Sequence, residues 1–220
     1  RVTQTFAQLS SATLEAYEQL IIVIPEGLNR SKWSNLPDGP RLQKLLKRTK
    51  NIGSPKIIRS RLSHKNLTGI LLSELSDNGE WPKSFELLST SRVIVTAALK
   101  EKPTSVGIHV YGFSDTQTSE IYKSLLLALH AVNFDMPDFR SKKKTYSGLQ
   151  KIVVFGKVKP KLINRINAEA DSLNLTRWLT ALPANILDAT NYKKIIKQLA
   201  KKNNWQMKFY NEAALKKLGA

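Results

Sequence analysis

The sequence predicts an α/β fold, and three features carry that prediction. Leu20-Ile21-Ile22-Val23-Ile24 is an unbroken apolar run closed by Pro25, the pattern of a strand buried on both faces. Val106, Ile108 and Val110 alternate with Gly107, His109 and Tyr111, which is the two-residue period of a strand. Between and after such runs lie amphipathic stretches of helical period, so strands and helices interleave as in a layered α/β domain.

The elements follow in chain order. Residues 29–40 are rich in Asn, Ser, Pro and Gly and read as a loop. Residues 41–50 read as a short helix, with Leu42, Leu45 and Leu46 on its apolar face and Arg41, Lys44 and Arg48 on another. Residues 68–75 and 92–98 read as further strands. Ser114 and Gln117 stand at capping-box spacing, ahead of a helix striped by Ile121, Leu125, Ala128, Leu129 and Val132. Ile152-Val153-Val154-Phe155 is another buried strand, broken by the segment from Gly156 to Pro160. A long helix over 161–182 ends before Pro183, because the residue preceding a proline avoids the helical region. Tyr192, Ile195, Ile196 and Leu199 mark another helix, Trp205, Met207 and Phe209 alternate as a strand, and Asn211 caps a last helix closed by Gly219. These elements divide the chain into a domain over 1–160, a linker helix over 161–182 and a tail over 183–220. The tail is too short to bury a core of its own. It is expected either to dock on the first domain or to open a domain that the chain does not complete.

Composition narrows the chemistry. No cysteine is present, which excludes disulfides, thiolate metal sites and cysteine nucleophiles. No apolar run approaches the roughly 18–20 residues that span a bilayer, and the first ten residues lack the form of a signal peptide, so a cytoplasmic protein without membrane contact is expected. A start at Arg1 rather than Met is expected of a chain cut from a longer one. Lys and Arg number 35 against 17 Asp and Glu, a net charge of +18. Such an excess suits a polyanion or an acidic partner, and equally a basic, solvated surface.

The charge is concentrated. Residues 30–65 hold eleven Lys/Arg against the single acid Asp38, and residues 140–165 hold nine with no acid. Candidate nucleic-acid contacts are therefore Arg41, Lys44 and Arg48, which share one helical face, and the run Lys142, Lys143 and Lys144, for which a solvated loop is the plainer reading. Lys193, Lys197 and Lys201 recur every four residues, a spacing that mildly opposes the helix unless a negative neighbour relieves it. Aromatic residues are not interleaved as in a base-stacking platform, so phosphate contact is expected over base reading. His64, His109 and His130 are scattered in sequence, as are the carboxylates, and structural or surface roles are expected of the histidines. Asp135 and Asp138 read as loop residues. No catalytic residue and no metal ligand is assigned, and neither a Gly-x-Ser-x-Gly elbow nor a phosphate-binding glycine loop occurs.

Asn174-Leu175-Thr176-Arg177-Trp178-Leu179, followed by Leu182-Pro183-Ala184-Asn185, resembles the leucyl (cytosol) aminopeptidase family. There an Asn-Leu-x-Arg-x-Leu helix runs into a Pro-Ala-Asn or Pro-Pro-Asn turn. The lysine-rich helix, the segment from Trp205 to Tyr210 and Glu212-Ala213-Ala214-Leu215-Lys216-Lys217-Leu218-Gly219 continue the match. Upstream, Phe134-Asp135 and Phe139-Arg140-Ser141-Lys142-Lys143-Lys144 resemble the stretch before the last strand of that family's N-terminal domain. Asp188-Ala189 departs from it, standing where a Thr-Pro pair is common. The resemblance implies a macro-like N-terminal domain with a mixed sheet flanked by helices, a linker helix, and the truncated start of a second, catalytic α/β domain. It also implies a parent enzyme, a homo-hexamer when full length, that removes N-terminal residues from peptide substrates using two divalent metal ions, manganese or zinc. The family's metal ligands lie beyond the last matched helix, so this chain is expected to hold no cofactor, to be inactive alone and to serve assembly or regulation. A basic module contacting the DNA backbone is the alternative. A ligand-binding macro-like domain ranks last.

Overall fold

The computed structural model describes residues 2–5, 9, 11–14, 16–49, 55–62, 69–75, 80–139, 148–156 and 158–219. The chain divides into two compact units, Arg1–Leu175 and Thr176–Ala220. The division falls inside a helix that runs unbroken over Pro160–Ala181, between the sequence-derived limits at 160 and 182.

The first unit is built on β1 (Val2–Thr5), β2 (Gln19–Pro25), β3 (Lys56–Arg61), β4 (Gly69–Leu75), β5 (Ser105–Val110) and β6 (Lys151–Phe155). They form one mixed sheet in the order β1-β6-β5-β2-β4-β3. Every pairing is parallel except that of β3 with β4. Helices cover both faces. On one side α3 (Ser84–Ala98), α4 (Asp115–Asn133) and the start of α5 (Pro160–Ala181) pack over Ile21, Val23, Val106, Ile108 and Val154. On the other, α1 (Ser11–Leu14), a 3-10 turn (Arg30–Asn35) and α2 (Gly39–Arg48) cover Leu20, Ile22, Ile24, Leu72 and Phe155. The unbroken apolar run is thereby explained. Alternate residues of β2 enter opposite cores, and Leu20 to Ile24 are all fully buried. Each such side chain contributes roughly 1.5–3 kcal/mol of burial.

Two elements of the first unit differ from the sequence expectation. Residues 92–98 are helix, not strand. Their β-branched content favours a strand locally, but Leu87, Ser91, Ile94, Val95 and Ala98 are the buried set, and their spacing is helical. A capping interaction between the Lys83 amide and Glu86 Oε2 at 2.9 Å starts the helix. The tertiary stripe therefore overrides propensity. Within residues 29–40 the expected loop contains the 3-10 turn and the first residues of α2. Trp33 is buried there, its indole N–H donating to the Leu28 carbonyl at 3.2 Å.

The second unit continues α5 and holds α6 (Ala189–Lys202) and α7 (Glu212–Lys217). Asp188 Oδ1 accepts from the Asn191 amide at 2.7 Å, and Asn211 Oδ1 from the Ala214 amide at 2.9 Å, so both helices are N-capped. The expected strand at Trp205 to Phe209 has no ladder partner among the described residues, and a strand is defined by its pairing. Ala200 is the one buried residue among the described residues of this unit. Among the described residues no helix is long and apolar enough to cross a membrane.

Candidate functional site

The basic face of α2 begins at an unusual cap. Asp38 adopts a left-handed conformation, φ 52°, and Pro40 follows in the first turn, where its missing N–H costs nothing. Leu42 and Leu46 turn inward, leaving Arg41, Lys44, Lys47 and Arg48 exposed. Arg41 is partly engaged: its guanidinium lies 3.4 Å from Asp38 Oδ2 and donates to the Arg61 carbonyl at 3.0 Å, tying α2 to the end of β3. Lys44 and Arg48 have no acidic partner among the described residues. The helix thus groups the three candidates on one face, with Arg41 also serving the fold. Lys142, Lys143 and Lys144 lie outside the described residues, as does His64.

The crevice at the carboxyl ends of β2 and β5, where strand order reverses, is the usual ligand position of an open α/β sheet. Among the described residues, Leu28 and Pro25 approach its backbone closely at Gly112. Gly112 has φ +92°, and a Cβ there would lie 2.7 Å from Leu28 Cδ1 and 3.0 Å from Pro25 Cδ. Leu28 and Trp33 are buried beneath, and Asn35 Nδ2 donates to the Tyr111 hydroxyl at 2.9 Å.

Three other titratable groups of this unit, His109, Tyr122 and His130, are set into the packing. His109 sits on β5 with Nδ1 3.5 Å from the Phe155 carbonyl and its ring stacked on Tyr111 at 5.6 Å. Burial pushes its pKa down to about 4, against the weaker opposing pull of that carbonyl. The Tyr122 hydroxyl donates to the Phe155 carbonyl and accepts from the Val110 amide, and burial raises its pKa to about 12. His130 Nε2 lies 3.1 Å from Asn167 Oδ1; burial lowers its pKa, with Asn167 and Asp171 opposing. Asp135 and Asp138 occupy the irregular segment after α4. Among the described residues no three of His, Asp and Glu converge as metal ligands. The described donor set therefore does not fit the two-metal site implied for the parent.

Sequence reading passed over one cluster in the second unit. A groove of about 530 Å³ is lined by Lys194, Lys197, Gln198, Lys201, Trp205 and Met207. Lys193 Nζ stands 3.5 Å from the Phe209 ring centroid and Lys208 Nζ 4.9 Å from that of Tyr210. The alternation of Trp205, Met207 and Phe209 was the available signal. Their proximity to the α6 lysines was not, because it depends on how the chain turns after Asn203.

No family model matches the chain, and no curated protein sequence matches it. Solved structures do. A tomato leucine aminopeptidase mutant superposes with TM-score 0.65 at 17% identity, covering 91% of this chain and 42% of its own. The leucyl aminopeptidase of Trypanosoma cruzi gives TM-score 0.62 at 17% identity, covering 91% and 41%. The bottromycin maturation enzyme BotP, in complex with Mn, gives 0.61 at 14% identity, covering 92% and 40%. The chain has the leucyl aminopeptidase N-terminal fold. It spans about two-fifths of the length of these structures. Asn174, in the leucyl aminopeptidase-like motif, is buried, and its Nδ2 donates to the His130 carbonyl at 3.3 Å. The motif thereby ties α5 to α4.

Proposed function

We propose that this chain is the non-catalytic front portion of a metal-dependent leucyl aminopeptidase, serving assembly or regulation, with the peptide-cleaving site carried elsewhere in the parent. One observation carries the reading. The likeness to the tomato enzyme covers 91% of the chain, about 200 residues, whereas the first unit ends at Leu175. The correspondence therefore extends into the second unit, and a free-standing domain of the first kind alone does not account for it. In the parent, a pair of manganese or zinc ions would lower the pKa of water and polarise the scissile carbonyl. The parent is proposed to be a cytoplasmic homo-hexamer acting on peptides. This chain's own residues form and brace a sheet.

Two preparations test the reading. The purified 220-residue chain is expected to release no leucine from leucine amide with manganese or zinc added. Antibody raised against the first unit is expected to capture, from native extract, chelator-sensitive leucine amide hydrolysis. Metal-dependent turnover by the short chain, or capture without any aminopeptidase activity, contradicts the proposal.

The net charge of +18 and the exposed Lys44, Lys47 and Arg48 favour a second reading, in which Arg41, Lys44, Arg48 and Lys142 to Lys144 contact the DNA backbone. Such binding would be sequence-tolerant and steeply salt-dependent.

A further inference from the structure

We propose that the outer edge of β3 is a docking site for an acidic, extended peptide, which adds a strand to the sheet. The register fixes which backbone groups face outward. The Gly69 amide donates to the Glu18 carbonyl at 2.8 Å, and the Leu75 carbonyl accepts from the Glu26 amide at 2.8 Å. The odd-numbered residues of β4 therefore turn their peptide groups toward β2. Ile70, Leu72 and Glu74 are left to bond β3, where they stand opposite Ser60, Ile58 and Lys56. By alternation, Ile57, Arg59 and Arg61 turn their peptide groups away from the sheet. The Arg61 carbonyl does so visibly, accepting from the Arg41 guanidinium at 3.0 Å. The amides of all three, and the carbonyls of Ile57 and Arg59, meet no partner among the described residues. Such an edge is the template for strand addition.

This edge belongs to the first unit and lies far from where the chain passes to the second. The chain leaves the sheet from β6 into α5, and β5, β2 and β4 stand between β6 and β3.

Charge selects the occupant. Lys56, Arg59 and Arg61 form no ion pair among the described residues. Arg59 and Arg61 share the strand face toward α3 and are both exposed. Arg59 is held there by donating to the Ala97 carbonyl at 3.0 Å. Glu101 is the one acid lining the hollow beside the two arginines. Charges of one sign on an edge bar neutral and like-charged strands, so a second copy of β3 would set arginines against arginines. A strand with Glu at alternate positions puts carboxylates beside Arg59 and Arg61 while its backbone completes the ladder. Nucleic acid would neutralise the arginines but offers no peptide groups to the edge. This inference rests on the first unit alone and does not depend on the aminopeptidase reading.

The test uses the full chain and a labelled Val-Glu-Val-Glu-Val-Glu-Val peptide, read by fluorescence polarisation at low salt. The peptide is expected to bind. Two N-methylated versions, each blocking alternate amides, report the ladder, and at least one is expected to bind about tenfold more weakly. R61A and R61P both remove the charge, but only the proline also removes an outward N–H, a change that edge strands tolerate. R61A is expected to weaken binding severalfold, and R61P about fivefold more. Far-UV circular dichroism checks the variants; should R61P unfold, the N-methylated peptides decide, since they leave the protein untouched. No binding at roughly 1 mM peptide, unchanged binding of both N-methylated peptides, or equal binding by R61A and folded R61P overturns the proposal. So does equal binding of a lysine-for-glutamate peptide, or tighter binding of oligo-dT.

Discussion

The hydroxyl of Tyr122 on α4 donates to the main-chain carbonyl of Phe155, the last residue of β6. It also accepts from the Val110 amide at 3.0 Å, so one side chain bolts together the carboxyl ends of β5 and β6. Tyr122→Phe keeps the ring and orphans the Val110 N–H. It is expected to destabilise the first unit by about 1–3 kcal/mol, measured by urea denaturation. A loss below about 0.5 kcal/mol would mean that water replaces the hydroxyl.

Acid should weaken the fold in two windows. His109 has its folded pKa lowered to about 4 from 6.5, so the unfolded chain binds a proton that the folded chain refuses. The stability tied to neutral His109 is present above about 6.5 and lost as pH falls toward 4, on the order of 3 kcal/mol at most. His130 acts in the same direction. Glu18 adds a lower window. Its carboxylate accepts from the Thr104 hydroxyl at 2.6 Å and amide at 2.7 Å, which lowers its pKa; its contribution is lost as pH falls through that lowered value. His109→Gln is expected to flatten the curve between pH 6.5 and 4 and leave the lower limb in place. An unchanged slope in the upper window would show that His109 is solvated.

Legibility in the sequence followed how local each determinant is. β2, β5 and the capped start of α4 were readable because a run, an alternation and a Ser114–Gln117 pair each lie within a few residues. α3 was misread as a strand because Val93, Ile94 and Val95 favour one locally, whereas the helical stripe needs Leu87 and Ser91 and the sheet they cover. β1 and β3 escaped notice. Both are edge strands of the sheet, and β3 alternates charged Arg59 and Arg61 with Ile58 and Ser60 in a pattern too short to stand out. At the candidate site, the shared face of Arg41, Lys44 and Arg48 follows from helical spacing alone. Arg41's contact with the Arg61 carbonyl does not, because it joins two elements twenty residues apart.

Amide exchange should separate the two units. With Ala200 as the one buried described residue of the second, α6 and α7 are expected to exchange faster than β2 at Ile21 and β6 at Val153, since poorly packed elements open locally. Equal protection would mean that the tail belongs to a complete fold.

The charge yields a salt titration. If the α2 face binds duplex DNA, the slope of log K against log salt is about −0.9 per phosphate contacted. Replacing Lys44, Lys47 and Arg48 by Ala should flatten it by up to roughly three contacts' worth, and the Lys142–Lys144 triple tests the other cluster in the same way. Arg41→Ala is a poorer probe, because it also frees α2 from β3. Absence of binding at about 50 mM salt, where electrostatic association is strong, would leave the charge as a solvated or partner-facing surface.

The central claim is that these 220 residues are the front portion of a larger aminopeptidase, and the intact mass of the endogenous protein tests it most directly. A single polypeptide of about twice 24.8 kDa or more is the predicted result, since the chain spans 42% of the tomato enzyme's length. A native polypeptide of 24.8 kDa that copurifies with no aminopeptidase would contradict it.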